Sequence, residues 1–178
     1  DLLYAPITTG IHHKTTATTP IDLNFTHQLS KLIINVKHGT DVTEDEVKRA
    51  TVLLKQFAGG GTFNISTGAV TTGTTLNDIA ALKGTAVAGY DIQFEAILMP
   101  QTLSNLTQNV EFEILSVGGV GNDDIFTWNL TTTTGTALTQ LESGKKYTYN
   151  ITINRKGLLV DGKITDWTAG TTGEGVAE

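Results

Sequence analysis

From Lys146 to Asn154 the chain alternates without a break: Tyr147, Tyr149, Ile151 and Ile153 fall at one parity, Lys146, Thr148, Asn150, Thr152 and Asn154 at the other. Successive side chains of an extended strand point to opposite sides of a sheet, so this run buries one face and wets the other as a β-strand. A helix would spread both classes around its circumference. The same period returns at Ile21, Leu23, Phe25 and His27 against Asp22, Asn24 and Thr26, and at Leu32, Ile34 and Val36 within the run from Lys31 to Lys37. It returns again at Val110, Phe112 and Ile114 against Glu111 and Glu113. Thr is the commonest residue. Its branched Cβ loses rotamer freedom in helices and packs well on a pleated surface.

Between these strands the chain carries few helix signals. Thr43-Glu44-Asp45-Glu46 before Val47 has the spacing of a capping box and predicts one short helix. Thr51 to Phe57, apolar at Val52, Leu54 and Phe57, precedes Gly59-Gly60-Gly61 and the alternating Phe63 and Ile65, which reads as a hairpin across a glycine loop. Gly68 to Gly89, rich in Thr, Gly and Ala, reads as loops or weak edge strands. Strands are expected again at Tyr90 to Met99, Val110 to Val117 and Ile125 to Leu130. After Asn154, a turn through Arg155, Lys156 and Gly157 leads to Leu158 to Val160, a second turn at Asp161-Gly162, and a last strand from Ile164 to Trp167.

About seven to nine short strands with one helix and no βαβ alternation predict an all-β antiparallel sandwich. The sandwich is expected over 20–167, with Pro20 fixing its entry, 1–19 as a leader and 168–178 as a flexible tail. The tail holds three Gly and two Glu and is too poor in apolar residues to build a core.

Composition removes several function classes. The formal net charge is −6, and the Lys and Arg residues are scattered rather than striped, which disfavours nucleic acid as a partner. The chain has no Cys, hence no disulfide framework and no thiolate metal site. No run approaches the roughly 20 apolar residues of a membrane-spanning helix. The start at Asp1 suggests a processed product or a part of something longer.

A search for chemistry yields structural readings instead. No Ser stands in a Gly-x-Ser-x-Gly elbow, and Ser66 before Thr67-Gly68 reads as a turn residue. His12-His13 lacks a third ligand at zinc spacing, and His38 reads as a loop residue. His27, ending an inward row, reads as a buried neutral imidazole donating to a backbone carbonyl. Asp41 to Glu46 and Asn122-Asp123-Asp124 lack the order of a calcium loop and read as cap and turn. Gly118-Gly119-Val120-Gly121 lacks the Lys-Thr of a phosphate loop. Asn-x-Ser/Thr triplets at Asn24, Asn64, Asn105, Asn129 and Asn150 follow from alternation in a Thr-rich chain. Tyr147 and Tyr149 are core by parity, whereas Trp128, between Thr127 and Asn129, has no fixed parity and is the candidate glycan contact. No catalytic residue, cofactor or metal ligand is expected.

Leu23-Asn24-Phe25-Thr26-His27-Gln28-Leu29-Ser30-Lys31-Leu32 resembles the Phe-x-His-x-Leu-Ser-Lys-Leu signature of fimbrillin-like proteins of Bacteroidales. Phe63-Asn64-Ile65-Ser66-Thr67-Gly68 is similar to that family's Phe-Asn-x-x-Thr-Gly segment, and Leu98-Met99-Pro100-Gln101 to its Leu-x-Pro-Gln element. Gly144-Lys145-Lys146-Tyr147-Thr148-Tyr149 and Ile164-Thr165-Asp166-Trp167 resemble its closing Gly-x-x-Tyr-x-Tyr and Ile-x-x-Trp pattern. The order and spacing of these motifs agree from Leu23 to Trp167.

The resemblance implies a transthyretin-like sandwich, the C-terminal half of a two-domain pilus subunit, with Asp1 to Ala5 ending the first domain. It further implies a precursor lipid-anchored to the outer membrane after passage through the periplasm. Such a subunit lies in a cell-surface fimbrium, pairs with other pilin subunits by strand exchange, and contacts host or bacterial surface ligands. The tail is the possible donor, with Thr168, Gly170 and Val176 along it. The alternative is a glycan-binding surface adhesin module.

Overall fold

The computed structural model describes residues 1–6, 23–104, 107–115, 123–132, 138–155 and 157–167. His12, His13, Pro20, the Gly118 to Gly121 segment, Asn105 and the tail residues Thr168, Gly170 and Val176 lie outside the described residues.

Two sheets form the body. The larger is built from β3 (Ser30–His38), β8 (Leu82–Lys83), β9 (Ile92–Leu98), β14 (Lys145–Asn154) and β15 (Gly157–Asp166), in the order β15-β14-β3-β9-β8. The smaller holds β4 (Thr51–Ala58), β7 (Leu76–Ala80), β11 (Asn109–Ile114) and β12 (Asp124–Trp128), in the order β12-β11-β4-β7. Every pairing in these sheets is antiparallel except β14 with β3, which run parallel with Tyr147 beside Leu32 and Ile151 beside Val36. Among the described residues three two-stranded ladders join these sheets: β1 (Leu3–Tyr4) with β2 (Thr26–His27), β5 (Gly61–Asn64) with β6 (Ala69–Thr72), and β10 (Gln101–Thr102) with β13 (Gln140–Leu141).

The alternation fixes which residues meet between the sheets. Leu32, Ile34 and Val36 from β3, Ile92, Phe94 and Leu98 from β9, and Tyr147, Tyr149, Ile151 and Ile153 from β14 are all buried. Facing them are Val52, Leu54 and Phe57 of β4, Val110, Phe112 and Ile114 of β11, and Trp128 of β12. Full burial of one such side chain is worth roughly 1.5–3 kcal/mol, so this interlayer is the main source of stability.

The α-helix among the described residues, α1 (Glu44–Arg49), has the expected box: Thr43 Oγ1 accepts from Glu46 N–H, and Glu46 Oε2 accepts from Thr43 N–H at 2.7 Å. Val47 is its buried residue. Six residues cannot hold a helix in water unaided, so the cap and this anchor maintain it.

Two expected turns are corrected. The glycine run after β4 does not close a hairpin with β5; β5 pairs with β6, across a turn from Asn64 to Gly68. Asn64 Oδ1 accepts from Ser66 N–H at 2.9 Å and from Thr67 N–H at 3.2 Å, and Gly68 takes φ +74°. A side chain that substitutes for two backbone acceptors fixes a turn more firmly than flexible glycines do. Likewise Asp161-Gly162 does not turn. β15 runs straight through, Asp161 opposite Asn150 and Gly162 opposite Tyr149. A Cβ on Gly162 would stand 2.5 Å from Tyr149 Cε1, so glycine here admits the ring rather than bending the chain. Within Gly68 to Gly89 the edge strands are real: β7 closes the smaller sheet and β8 the larger.

Candidate functional site

The motifs separated most widely in sequence meet at one end of the larger sheet. His27 lies flat on Trp167, ring centroids 3.6 Å apart and planes 5° apart, and its Nδ1 contacts the Asp1 carboxylate. Lys31 Nζ stands 5.8 Å from the Trp167 ring and 3.2 Å from Glu95 Oε2. Backbone bonds close the clasp: Trp167 N–H donates to Gly144 O at 2.9 Å, and Gly144 N–H to Leu29 O at 3.0 Å. Ser30 Oγ donates to Glu142 O at 2.7 Å, and Ser143 Oγ to Gln28 O at 2.8 Å. Gly144 takes φ +70° with the His27 carbonyl close by, a conformation and a space that suit glycine.

His27 therefore corrects its expected role. Its partners are a carboxylate and an indole, because the β1–β2 ladder sets it beside the end of β15 rather than under the sheet. The inward row expected here is corrected as well: Leu23 and Phe25 are exposed and lie outside any strand, because only Thr26–His27 finds a partner, in the two-residue ladder with β1. His38, expected in a loop, is the last residue of β3, and Asp91 Oδ2 lies 2.8 Å from its Nδ1 and accepts from its N–H at 2.6 Å.

At the opposite end Arg155 gathers three elements. Its Nη2 lies 2.7 Å from Glu46 Oε1 in α1, its Nε 3.4 Å from Asp124 Oδ2 at the start of β12, and its Nη1 donates to the Asp41 carbonyl. The Thr43 hydrogen bonds, with Arg155 alongside, hold the Glu46 carboxyl down at about 2. The acidic residues near Asp41 and Asp124 thus serve a cap and a guanidinium.

The remaining motifs are also placed. Gln101 Oε1, from the Pro-Gln element, accepts from Ala58 N–H and from Gln108 Nε2, each at 2.9 Å, and Gln101 Nε2 donates to Met99 O. Tyr4 packs edge-on against Phe63, centroids 5.6 Å apart, and lies on Gly68. Trp128 is 5% exposed and packs against Tyr149 at 4.6 Å, so a sugar would find no open face of that indole. Inward parity, undecidable from Thr127 and Asn129, is set by the register of Trp128 opposite Val110. Among the described residues no three His, Asp or Glu converge as metal ligands, and no helix is long and apolar enough to cross a membrane.

The motifs thus mark the clasp, a side-chain-capped turn and the crossover between sheets, all points where backbone geometry is fixed. A family model described as fimbrillin-like matches residues 1–167. The chain belongs to the fimbrillin-like family. One relative, from Bacteroides uniformis, is named "Putative fimbrium subunit Fim1C"; it is 31% identical over 153 residues, covering 84% of this chain and 46% of that protein. A crystal structure of a "putative cell adhesion protein" from Bacteroides uniformis is 29% identical, with TM-score 0.68 over 83% of this chain and 54% of that one. Another from Bacteroides ovatus, 24% identical, shares the fold at TM-score 0.59, covering 85% and 49%. The chain spans about half the length of these relatives.

Among the described residues β15 and β12 are the outermost strands on one flank of their sheets. The clasp fixes the point at which the chain leaves β15.

Proposed function

We propose that the chain is a structural domain of a cell-surface fimbrium subunit that joins neighbouring subunits by strand exchange. Family membership supports the fimbrial part. The observation that carries the assembly part is the position of Trp167: the clasp anchors the chain beside the edge of β15, and 168–178 follow directly from it. An unpaired sheet edge is a template for another chain's backbone, and a tail too polar to pack alone is suited to find its partners in a neighbour. On this reading 1–19 lead in from a preceding domain and 20–167 form the sandwich. The precursor reaches the surface on a lipid anchor.

Deletion of 168–178 from the full-length subunit tests the donor role. The expected result is an unchanged circular dichroism spectrum and melting temperature with loss of polymerisation. Fibres of normal length from the shortened subunit would remove the donor role.

A further inference from the structure

The two sheets turn faces of opposite charge to solvent. On the outer side of the larger sheet stand Lys31, itself buried, opposite Lys146, then Lys37 opposite Thr152 and Lys163 opposite Thr148. Glu95 answers Lys31 at 3.2 Å, Asp91 is engaged by His38, and Asp161 stands opposite Asn150 in the register. Lys37, over the Tyr90 ring, and Lys163 are exposed, and four Lys against Glu95, Asp91 and Asp161 leave this side one positive charge in excess. The outer face of the smaller sheet carries Glu111, Glu113 and Asp78, with Lys55 as the cation among them, 2.5 Å from Asp78 and 3.9 Å from Glu111. Each face also exposes a large apolar side chain: Leu82 at 72% on the first, Ile125 at 62% on the second.

A positive face and a negative face on opposite sides of one slab cannot meet within a molecule. They can meet between copies. We propose that the basic face of one copy of this chain docks on the acidic face of the next, giving an open, face-to-face stack. The contact is heterologous, so it does not close at a dimer. Strands spaced about 4.8 Å apart and rising about 3.3 Å per residue make the larger face roughly 600 Å² and the smaller roughly 380 Å², so one contact buries at most about 760 Å², less than a stable dimer needs. One contact is therefore weak and electrostatically steered, whereas a polymer repeating it many times gains by avidity. If the subunits form fibres as proposed above, this contact aligns fibres side by side.

The test is sedimentation velocity on the chain over a concentration series, at about 20 mM and about 0.5 M NaCl, where screening lengths differ several-fold. Concentration-dependent association is expected at low salt, about tenfold weaker at high salt. Two double variants, Lys37→Glu with Lys163→Glu and Glu111→Gln with Glu113→Lys, should each lose about tenfold alone. Their equimolar mixture should regain association, because each keeps one original face. Circular dichroism confirms that both fold. A monomer at every salt and concentration, or association indifferent to salt and to both variants, would overturn the proposal. Strand-exchanged fibres persist in high salt, so failure here leaves the fimbrial reading standing.

Discussion

At the scale of single residues, the β14 alternation divides side chains into those that hold the sheets together and those that wet the surface. Tyr149→Ala and Ile151→Ala, both removing buried volume, should each cost about 2–5 kcal/mol in urea unfolding, whereas Thr148→Ala and Thr152→Ala should stay within about 1. Equal costs on both faces would contradict the packing. Burial pushes the Tyr149 phenol up to about 12, so it stays protonated across the neutral range. Gly162 belongs to the same contact: Gly162→Ala should destabilise by about 1–3 kcal/mol, because its methyl meets the Tyr149 ring. Gln56 is the converse case. It holds φ +60° at the bulge in β4, where a side chain costs about 1 kcal/mol, so Gln56→Gly should raise the melting temperature.

At the scale of elements, α1 depends on one carboxylate. Glu46 is held at about 2 against an ordinary 4.5, so its contribution is complete above pH 4.5 and disappears as pH falls towards 2. Glu46→Gln should therefore be less stable than the parent at neutral pH, and the gap should close on acidification, read as converging urea midpoints between about pH 6 and pH 3. A gap constant with pH would mean that the charge is not what matters. This helix was legible in the sequence because a capping box is local: Thr43 and Glu46 lie within one turn. Strands with strict alternation, such as β14 and β11, were legible for the same reason. Pairing was not. The partner of β5 depended on the Asn64 side chain, not on the glycines before it, and the straight course of β15 depended on a Tyr in another strand. His27 and Trp128 were misplaced because their surroundings come from residues distant in the chain.

At the scale of the whole molecule, the two sheets are one body only if the chain crosses between them in a fixed way. The crossover from β9 of the larger sheet to β11 of the smaller passes through β10, and there Gln101 acts as a three-way junction. It accepts from the Ala58 N–H at the end of β4, accepts from Gln108 Nε2 just before β11, and donates to Met99 O just after β9. Gln108 in turn accepts from Ser104 N–H at 2.6 Å and is 6% exposed. Gln101→Leu keeps similar volume but leaves a strand-end N–H and a buried amide without this acceptor. Each such orphan costs about 1–3 kcal/mol, so the substitution should lower stability by about 2–5 kcal/mol although it adds apolar surface. Gln108→Leu alone should cost a comparable amount, through its lost bonds to Gln101 and Ser104. The double variant should cost clearly less than the two single losses added together, because the second change removes groups the first had already stranded. Urea unfolding of the four proteins of this cycle measures the coupling. Strict additivity would show that the two amides act independently and that the sheets are joined through their apolar interlayer alone.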